Sequence, residues 1–332
     1  MPGVAARPAP PAPTRPTWSG RVAEYLAAMF PPLVNVPAGL VLFFAVYCGV
    51  QGLAGTAPLV VSPRALAGAA SLVLLALLMR VQDELKDLAA DRRLAAAGDP
   101  RFAGRPLVTG RVSAADVDRL RRLVLAALLI LNLPLGFPLP LLPFALALLV
   151  TWLSGRWFFW PAMAGNLVLA FATHNPIALL DAAYAAAVAG RDLGTGVLRP
   201  GDALVLLAVY LPIAAWEIGR KVRAPEDETP YETWSSRLGW RAAGALPAVL
   251  AAGAAACFVA VARASGLGPV YPVAVLGALA VVLVRCTRFL RAPSARTADL
   301  RPAVELFTVV ASGGLVAALA VSRGVAWLPF RP

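Results

Sequence analysis

The sequence predicts an all-α, polytopic membrane protein with nine transmembrane helices. Hydrophobic residues make up 59% of its 332 residues and charged residues only 14%. The apolar residues stand in long blocks and do not alternate with polar ones. Because the bilayer core holds no water, a segment that crosses it must satisfy its own backbone hydrogen bonds, and a helix does so. These observations favour a helical membrane protein over any soluble class.

Nine apolar blocks are long enough to cross a bilayer, for which about 20 residues suffice. They lie at 26–50, 63–82, 119–136, 138–154, 160–180, 202–219, 242–263, 269–287 and 303–322. The third and fourth blocks are separated only by LPLGFPLP, residues 133–140, whose prolines and glycine favour a tight turn. The stretch 177–190 either extends the fifth span or lies along the membrane surface.

The distribution of basic residues predicts the orientation of these spans. If the N-terminus is inside and the spans alternate, 24 of the 30 Lys and Arg residues fall in inner segments. Cytoplasmic loops of membrane proteins carry such an excess. We therefore expect a protein of the cell's inner or plasma membrane with a cytoplasmic N-terminus. The net charge of +12 then reflects topology and requires no nucleic-acid partner.

Two further features bound the domain organisation and the redox chemistry. The first residues, MPGVAARPAPPAPTRPTW, are rich in Pro and Ala, so a disordered tail is expected over residues 1–20. The cysteines Cys48, Cys257 and Cys286 lie in or beside apolar segments, and no two of them have CxxC spacing. Free thiols are expected, with no disulfide framework.

The second apolar block is followed by an acidic segment, RVQDELKDLAADRRLA, residues 80–95. Its carboxylates are Asp83, Glu84, Asp87 and Asp91. On a continued helix, Asp83, Asp87 and Asp91 follow i, i+4, i+8 spacing and are expected on one face, where like charges repel. A bound divalent cation would turn this repulsion into attraction, and Mg²⁺ prefers oxygen ligands. The alternative is a solvated helix whose acids pair with Lys86, Arg92 and Arg93.

A second acidic patch, EIGRKVRAPEDE at residues 217–228, follows the sixth span on the same side. Glu217 is placed at the membrane edge, and three more acids, Glu226, Asp227 and Glu228, follow Pro225. Two acidic patches at the inner ends of two non-adjacent spans could face each other across one cavity.

These patches resemble the motifs of the UbiA-type membrane prenyltransferase superfamily. Residues 83–91, DELKDLAAD, are similar to the family's NDxxDxxxD, and RPLVTGRVS at 105–113 is similar to its RPLxSGxIS loop. The segment 217–239 is similar to its aspartate-rich second motif, although Glu217 stands where Asp is usual and Lys221 replaces an acid. The resemblance implies nine helices around a central cavity, with residues 21–325 forming a single UbiA-like domain.

By this resemblance, the protein is expected to be an Mg²⁺-dependent prenyltransferase. It would transfer an isoprenoid group from a polyprenyl diphosphate to a small hydrophobic or aromatic acceptor, at the cytoplasmic side of the membrane. The residues implied in catalysis are Asp83, Asp87 and Glu217. The implied metal ligands are Asp83, Glu84, Asp87, Asp91, Glu217 and Glu228. The implied substrate-binding residues are Lys86, Arg105, Lys221, Arg223 and Asn35, with ordinary positive-inside charge as the alternative for Lys221 and Arg223.

Other functions remain open at the level of the sequence. The same fold could support a membrane terpene cyclase or a phosphoribosyl transferase, and a non-catalytic transporter or lipid-binding protein could use the acids as a cation or proton path. A transport path predicts acids near the bilayer midplane, whereas these lie at the inner edge. The one histidine, His174, is predicted to be a polar packing residue near the outer end of the fifth span.

Overall fold

The computed structural model describes residues 17–136, 138–195, 198–228 and 232–329. This part of the chain is built of helices and one pair of three-residue strands. Residues 1–16 of the expected tail lie outside the described residues, and residues 18–20 already belong to the first helix. Thr17 caps that helix, because its side-chain oxygen accepts a hydrogen bond from the backbone N–H of Gly20.

The helices of the first half are α1 (Trp18–Met29), α2 (Pro32–Leu53), α3 (Pro63–Ala96), α4 (Pro100–Ala103), α5 (Ala114–Asn132), α6 (Leu141–Ser154), α7 (Leu167–His174) and α8 (Ile177–Asp192). The second half contains α9 (Asp202–Gly219), α10 (Trp234–Leu238), α11 (Trp240–Ala264), α12 (Val270–Arg291), α13 (Ala295–Ala298), α14 (Arg301–Thr308) and α15 (Gly314–Arg323). Strand β1 (Leu59–Val61) pairs in parallel with β2 (Val325–Trp327), with Leu59 opposite Val325.

Seven helical segments within the described ranges are long and apolar enough to span a membrane. They are α2, α3, α7–α8, α9, α11, α12 and α13–α15. The remaining two predicted spans correspond to α5, whose first half carries several charges, and to α6, an apolar helix of 14 residues. The prediction of an all-α polytopic membrane protein is confirmed.

Helix α3 is longer than a bilayer is thick. Its 34 residues extend over roughly 50 Å at about 1.5 Å per residue, against a hydrocarbon core of about 30 Å. Ser62 and Pro63 start it, since the Ser62 side chain accepts from the N–H of Ala65 and proline is favoured in a first turn. The acidic segment is therefore the continuation of a spanning helix, as the sequence predicts.

The fifth span differs from its predicted limits of 160–180. Residues 157–159 and 161–165 form short 3₁₀ turns, and the long helical segment runs from Leu167 to Asp192. The stretch 177–190 therefore extends the fifth span, which was one of the two alternatives. The shift has a physical cause, because Pro161 and the left-handed backbone at Trp157–Phe159 end helical structure on this side.

Small residues let the central helices approach one another closely. Helix α9 packs against α11, α8, α2 and α14. The residues Ala185–Ala189 of α8 are fully buried. A Cβ placed on Gly244 of α11 would lie 2.5 Å from the Phe289 ring of α12, so only glycine fits at this crossing. Such contacts drive helix association in a bilayer, where apolar burial alone gives little.

A buried polar cluster closes the end of the bundle opposite the acidic patches. Asp192 accepts hydrogen bonds from the hydroxyls of Tyr47 (2.7 Å) and Ser62 (2.5 Å), and Arg64 lies 3.3 Å away. Arg64 and Asp87 are on the same helix, roughly 35 Å apart along its axis. Polar side chains therefore fix both ends of the bundle.

Candidate functional site

The four carboxylates of the first patch fall into two groups. Glu84 and Asp91 are 3% and 5% exposed, and both contact Arg105, at 3.5 Å and 2.5 Å. The predicted shared face of Asp83, Asp87 and Asp91 is therefore wrong for Asp91, which shares its partner with Glu84. Helical geometry explains the difference, because residues seven apart are only about 20° apart around the axis, whereas residues eight apart differ by about 80°.

Arg105 belongs to the RPLVTG loop and lies over the first patch. Its guanidinium stacks 4.5 Å from the centroid of the Phe102 ring, and its side chain is 24% exposed. Arg80, one turn before Glu84, contacts the same carboxylate. Arg105, predicted to bind substrate, thus has two buried carboxylates as its partners. The loop attaches to the extended part of α3 through this cluster.

Asp83 and Asp87 form the second group, which is less buried than Glu84 and Asp91. Asp83 accepts a hydrogen bond from Lys86 at 2.8 Å. Lys86 is almost buried, with Nζ 4.0 Å from the centroid of the Trp157 ring and 3.5 Å from the carbonyl oxygen of Ser154. Asp87 is half-buried and has no hydrogen bond or ion pair with any residue in the described ranges.

His174 lies beside Lys86 and not near the outer end of the fifth span, so that prediction is wrong. Its ring centroid is 5.5 Å from those of Trp157 and Phe158. Its Nδ1 lies 2.9 Å from the carbonyl oxygen of Ala170, so Nδ1 donates to it. Because the spanning helix starts only at Leu167, His174 falls in its first half, at the end of the bundle that carries the acidic patches. The sequence contains one signal of this position, a short loop before the helix that is rich in Trp and Phe.

The backbone of that loop is strained. Trp157, Phe158 and Phe159 have φ of 51°, 50° and 56°, in the left-handed region that bulky residues rarely adopt. The turn directs the Trp157 ring toward Lys86 and the Phe158 ring toward His174. Such strain persists only where the surrounding structure fixes it, and here it builds an aromatic wall against the first patch.

The second patch is dominated by cations. Glu217 accepts two hydrogen bonds from the Arg220 guanidinium, at 2.5 Å and 2.6 Å, and Lys221 Nζ lies 3.5 Å from the same carboxylate. Both carboxylate oxygens of Glu228 accept from the hydroxyl of Thr233, at 2.9 Å and 2.7 Å. Arg223 donates through NH1 to the carbonyl oxygen of Val222 at 2.8 Å.

Asp227 lies in the same loop and shares a cavity with Arg220, the partner of Glu217. It lines a cavity of about 440 Å³ beneath α13. The residues around this cavity are Gly219, Arg220, Arg223, Asp227, Ala295, Ala298, Asp299 and Arg301. The sequence alone did not separate Asp227 from Glu228, which are adjacent in the chain but have different surroundings.

Helix α7 connects the two patches. At its start, the backbone N–H of Leu167 donates to Glu232 at 2.9 Å. Phe171 packs edge-on against Trp234, with ring centroids 5.2 Å apart. The backbone N–H of Trp234 donates to the carbonyl oxygen of Lys221 at 3.0 Å. The other end of α7 carries His174, next to the Lys86 cluster. Both patches therefore lie at the same end of the bundle.

The residues present fit one Mg²⁺ ion better than two. Mg²⁺ in proteins is held by one or two carboxylates, with water and substrate phosphate completing its shell. Asp83 and Asp87, one turn apart, meet this description. Within the described ranges there is no group of three or more His, Cys, Asp or Glu side chains that could hold a metal ion. Glu84, Asp91, Glu217 and Glu228 are already bonded to donors of the protein.

Asn35, a predicted substrate-binding residue, lies in the first turn of α2. Its side-chain amide donates to the carbonyl oxygen of Pro31 at 3.0 Å. The neighbouring side chains Leu33 and Val34 are 92% and 65% exposed. This amide therefore bonds back to the residue before its own helix, whose carbonyl oxygen also accepts the Asn35 backbone N–H.

Comparisons with known proteins identify the fold. No protein-family model and no curated protein matches the chain. Among solved structures, it is similar to a digeranylgeranylglyceryl phosphate synthase, with a TM-score of 0.57 and 14% identity over 90% of this chain and 98% of the other. It is also similar to the apo structure of a UbiA homologue from Aeropyrum pernix K1, with a TM-score of 0.53 and 22% identity over 85% of this chain and 97% of that one.

The molecule is an integral membrane protein built of helices. More particularly, it has the fold of the UbiA homologue, over nearly the whole length of both matching structures. The family resemblance first seen in the motifs is thereby confirmed at the level of the fold.

Proposed function

We propose that this protein is a membrane-embedded, Mg²⁺-dependent prenyltransferase that moves an isoprenoid group from a polyprenyl diphosphate to a small aromatic acceptor. One observation carries the proposal: the first patch contacts the short helix α7 through Trp157, and the loop that follows the second patch contacts the same helix through Glu232 and Trp234. The fold is that of proteins with this type of chemistry. The α5 and α6 helices complete nine spans, and the shared end faces the cytoplasm because most Lys and Arg residues lie there.

Within this proposal, the charged residues divide the work of holding a diphosphate. Asp83 and Asp87 would hold Mg²⁺, which supplies positive charge that stabilises the leaving group. Lys86, Lys221 and Arg223 would neutralise further phosphate oxygens. Arg105 acts with Glu84 and Asp91 as a positioning group, because it attaches the RPLVTG loop to α3.

The reaction breaks the bond between C1 of the isoprenoid and the diphosphate oxygen, and that oxygen keeps the electron pair. The allylic cation that remains is attacked by the acceptor, which then loses a proton. Such a cation needs a dry, apolar or aromatic environment so that water does not capture it. Trp157 and Phe158 would provide an aromatic wall of this kind, next to the charged first patch.

The test uses isolated membranes that contain the full chain, with Mg²⁺ and labelled geranyl, farnesyl and geranylgeranyl diphosphates, with and without candidate aromatic acceptors. Transfer predicts a labelled product that appears only with an acceptor. Products without an acceptor would indicate cyclisation and would contradict transfer to a second molecule. The absence of any reaction with all three donors would contradict the enzyme assignment.

Asp87→Asn tests the first patch directly. Because Asp87 has no hydrogen bond or ion pair with any described residue, we expect the variant to fold and its turnover to fall by about a hundredfold or more. Asp118→Asn is the matched control, since Asp118 is a surface acid of α5 that pairs only with Arg121 and Arg122 among the described residues. Full activity in Asp87→Asn would refute the role of this carboxylate.

A further inference from the structure

We infer that this protein uses one divalent cation, held by the first patch, and that Lys221 with its neighbouring arginines takes the place of a second. The inference rests on the proposed function, because it concerns how the same diphosphate would be neutralised. Its basis is an asymmetry between two patches that look alike in the sequence. Each contains four carboxylates within twelve residues, yet their partners differ.

Glu217 is the leading carboxylate of the second patch, and two cations already neutralise it. Arg220 makes two hydrogen bonds to it in a fork, which is the strongest geometry between a guanidinium and a carboxylate. Lys221 Nζ lies 3.5 Å from the same group. With Arg223 included, the segment 217–223 carries three positive charges and one negative charge. A divalent cation here would have to displace two fixed cations from a single carboxylate.

The other acids of the second patch do not converge on Glu217. Glu228 is bonded through both oxygens to Thr233, which also caps α10. Asp227 lines the cavity beneath α13, and Glu226 is exposed in the 3₁₀ turn Pro225–Asp227. None of the contacts described brings a second carboxylate to Glu217.

In the first patch, Asp83 and Asp87 have fewer cationic partners than Glu217 has in the second. Asp87 has no hydrogen bond or ion pair with any described residue and feels Lys86 only through space, and Asp83 is bonded to a single cation, Lys86. A cation that binds Asp83 and Asp87 would displace at most one lysine, and Lys86 would then be free to contact a phosphate oxygen. The geometry therefore supports one ion at Asp83 and Asp87 and none at Glu217.

The backbone of Lys221 is linked to helix α7 through Trp234. Its side chain is 16% exposed, and its carbonyl oxygen accepts from Trp234, whose ring packs on Phe171 of α7. Since α7 ends beside Trp157 and the Lys86 cluster, Lys221 is linked through Trp234 and Phe171 to a helix that also contacts the surroundings of the first patch. A lysine contacts phosphate as a point charge, so it can replace the charge of an ion without any ligand geometry.

The experiment counts bound Mn²⁺ per chain by electron paramagnetic resonance, using the purified full chain in detergent with inorganic pyrophosphate. We expect one Mn²⁺ for the wild type and one for Glu217→Gln, since this carboxylate holds no ion. Lys221→Asp, which supplies a second carboxylate next to Glu217, should bind two. Lys221→Gln should keep one Mn²⁺ but weaken pyrophosphate binding by about tenfold or more, and Lys221→Arg should restore most of that affinity.

Two Mn²⁺ ions in the wild type, with one lost in Glu217→Gln, would overturn the inference and leave the proposed function standing. Unchanged pyrophosphate affinity in Lys221→Gln would also overturn it. If the wild type bound neither Mn²⁺ nor pyrophosphate, the proposed function itself would fail. Asp87→Asn should reduce the Mn²⁺ count from one to zero, and this separates loss of the metal site from loss of the lysine contact.

Discussion

Replacing Arg105 by alanine should destabilise the protein more than it weakens donor binding. Arg105 is a partner of both Glu84 and Asp91, whose side chains are 2% and 7% exposed. Removing one partner of a buried ion pair costs about 3–5 kcal/mol. Because Arg105 is itself 24% exposed and Arg80 remains on Glu84, we expect about 2 kcal/mol, most of it from the uncompensated Asp91. This corresponds to a melting temperature lower by about 4 °C.

The assay is thermal unfolding of the detergent-solubilised chain followed by tryptophan fluorescence, together with the donor KM in membranes. Arg111→Ala is the control, because Arg111 is 54% exposed and its ion pair with Glu24 lies at the surface. A second substitution, Asp91→Asn, should recover part of the stability of Arg105→Ala by removing the unpaired charge. If Arg105→Ala were as stable as the control and its donor KM rose tenfold, Arg105 would be a substrate-binding residue and the reasoning from its partners would be refuted.

Two further predictions concern the ends of the bundle. Hydrogen bonds from the Arg21 guanidinium hold the pKa of Asp116 well below its usual range, so the stability from this pair is complete above about pH 4 and is lost as the pH falls further. Asp116→Asn should therefore flatten a plot of melting temperature against pH below about pH 4, and an unchanged slope would contradict this. At the other end, Asp192→Asn should cost about 3 kcal/mol, because the fully buried carboxylate is the partner of Tyr47, Ser62 and Arg64. Thermal unfolding measures it, and a loss below about 1 kcal/mol would show that the cluster is not a structural support.

Hydropathy alone predicted most of the fold, because the spans depend on a local property of the chain. The limits of the fifth span were wrong, since they depend on a left-handed turn at Trp157–Phe159 that follows no common sequence pattern. The same error misplaced His174, whose position is set by where that helix begins. Local periodicity placed the acids of α3 on one helix but could not divide them, because the division depends on Arg105, which reaches them from a separate loop.

The four acids of the first motif have different partners, and this difference separates their roles. Four carboxylates at the end of α3, a helix longer than a bilayer is thick, would repel one another without partners. Arg80 and Arg105 neutralise Glu84 and Asp91 and thereby make the extension stable. This leaves Asp83 and Asp87 with Lys86 as the nearby cation, and Lys86 forms its ion pair with Asp83. Asp87 is therefore the position where a bound cation gains most, and for this reason it is the carboxylate whose removal should affect turnover more than folding.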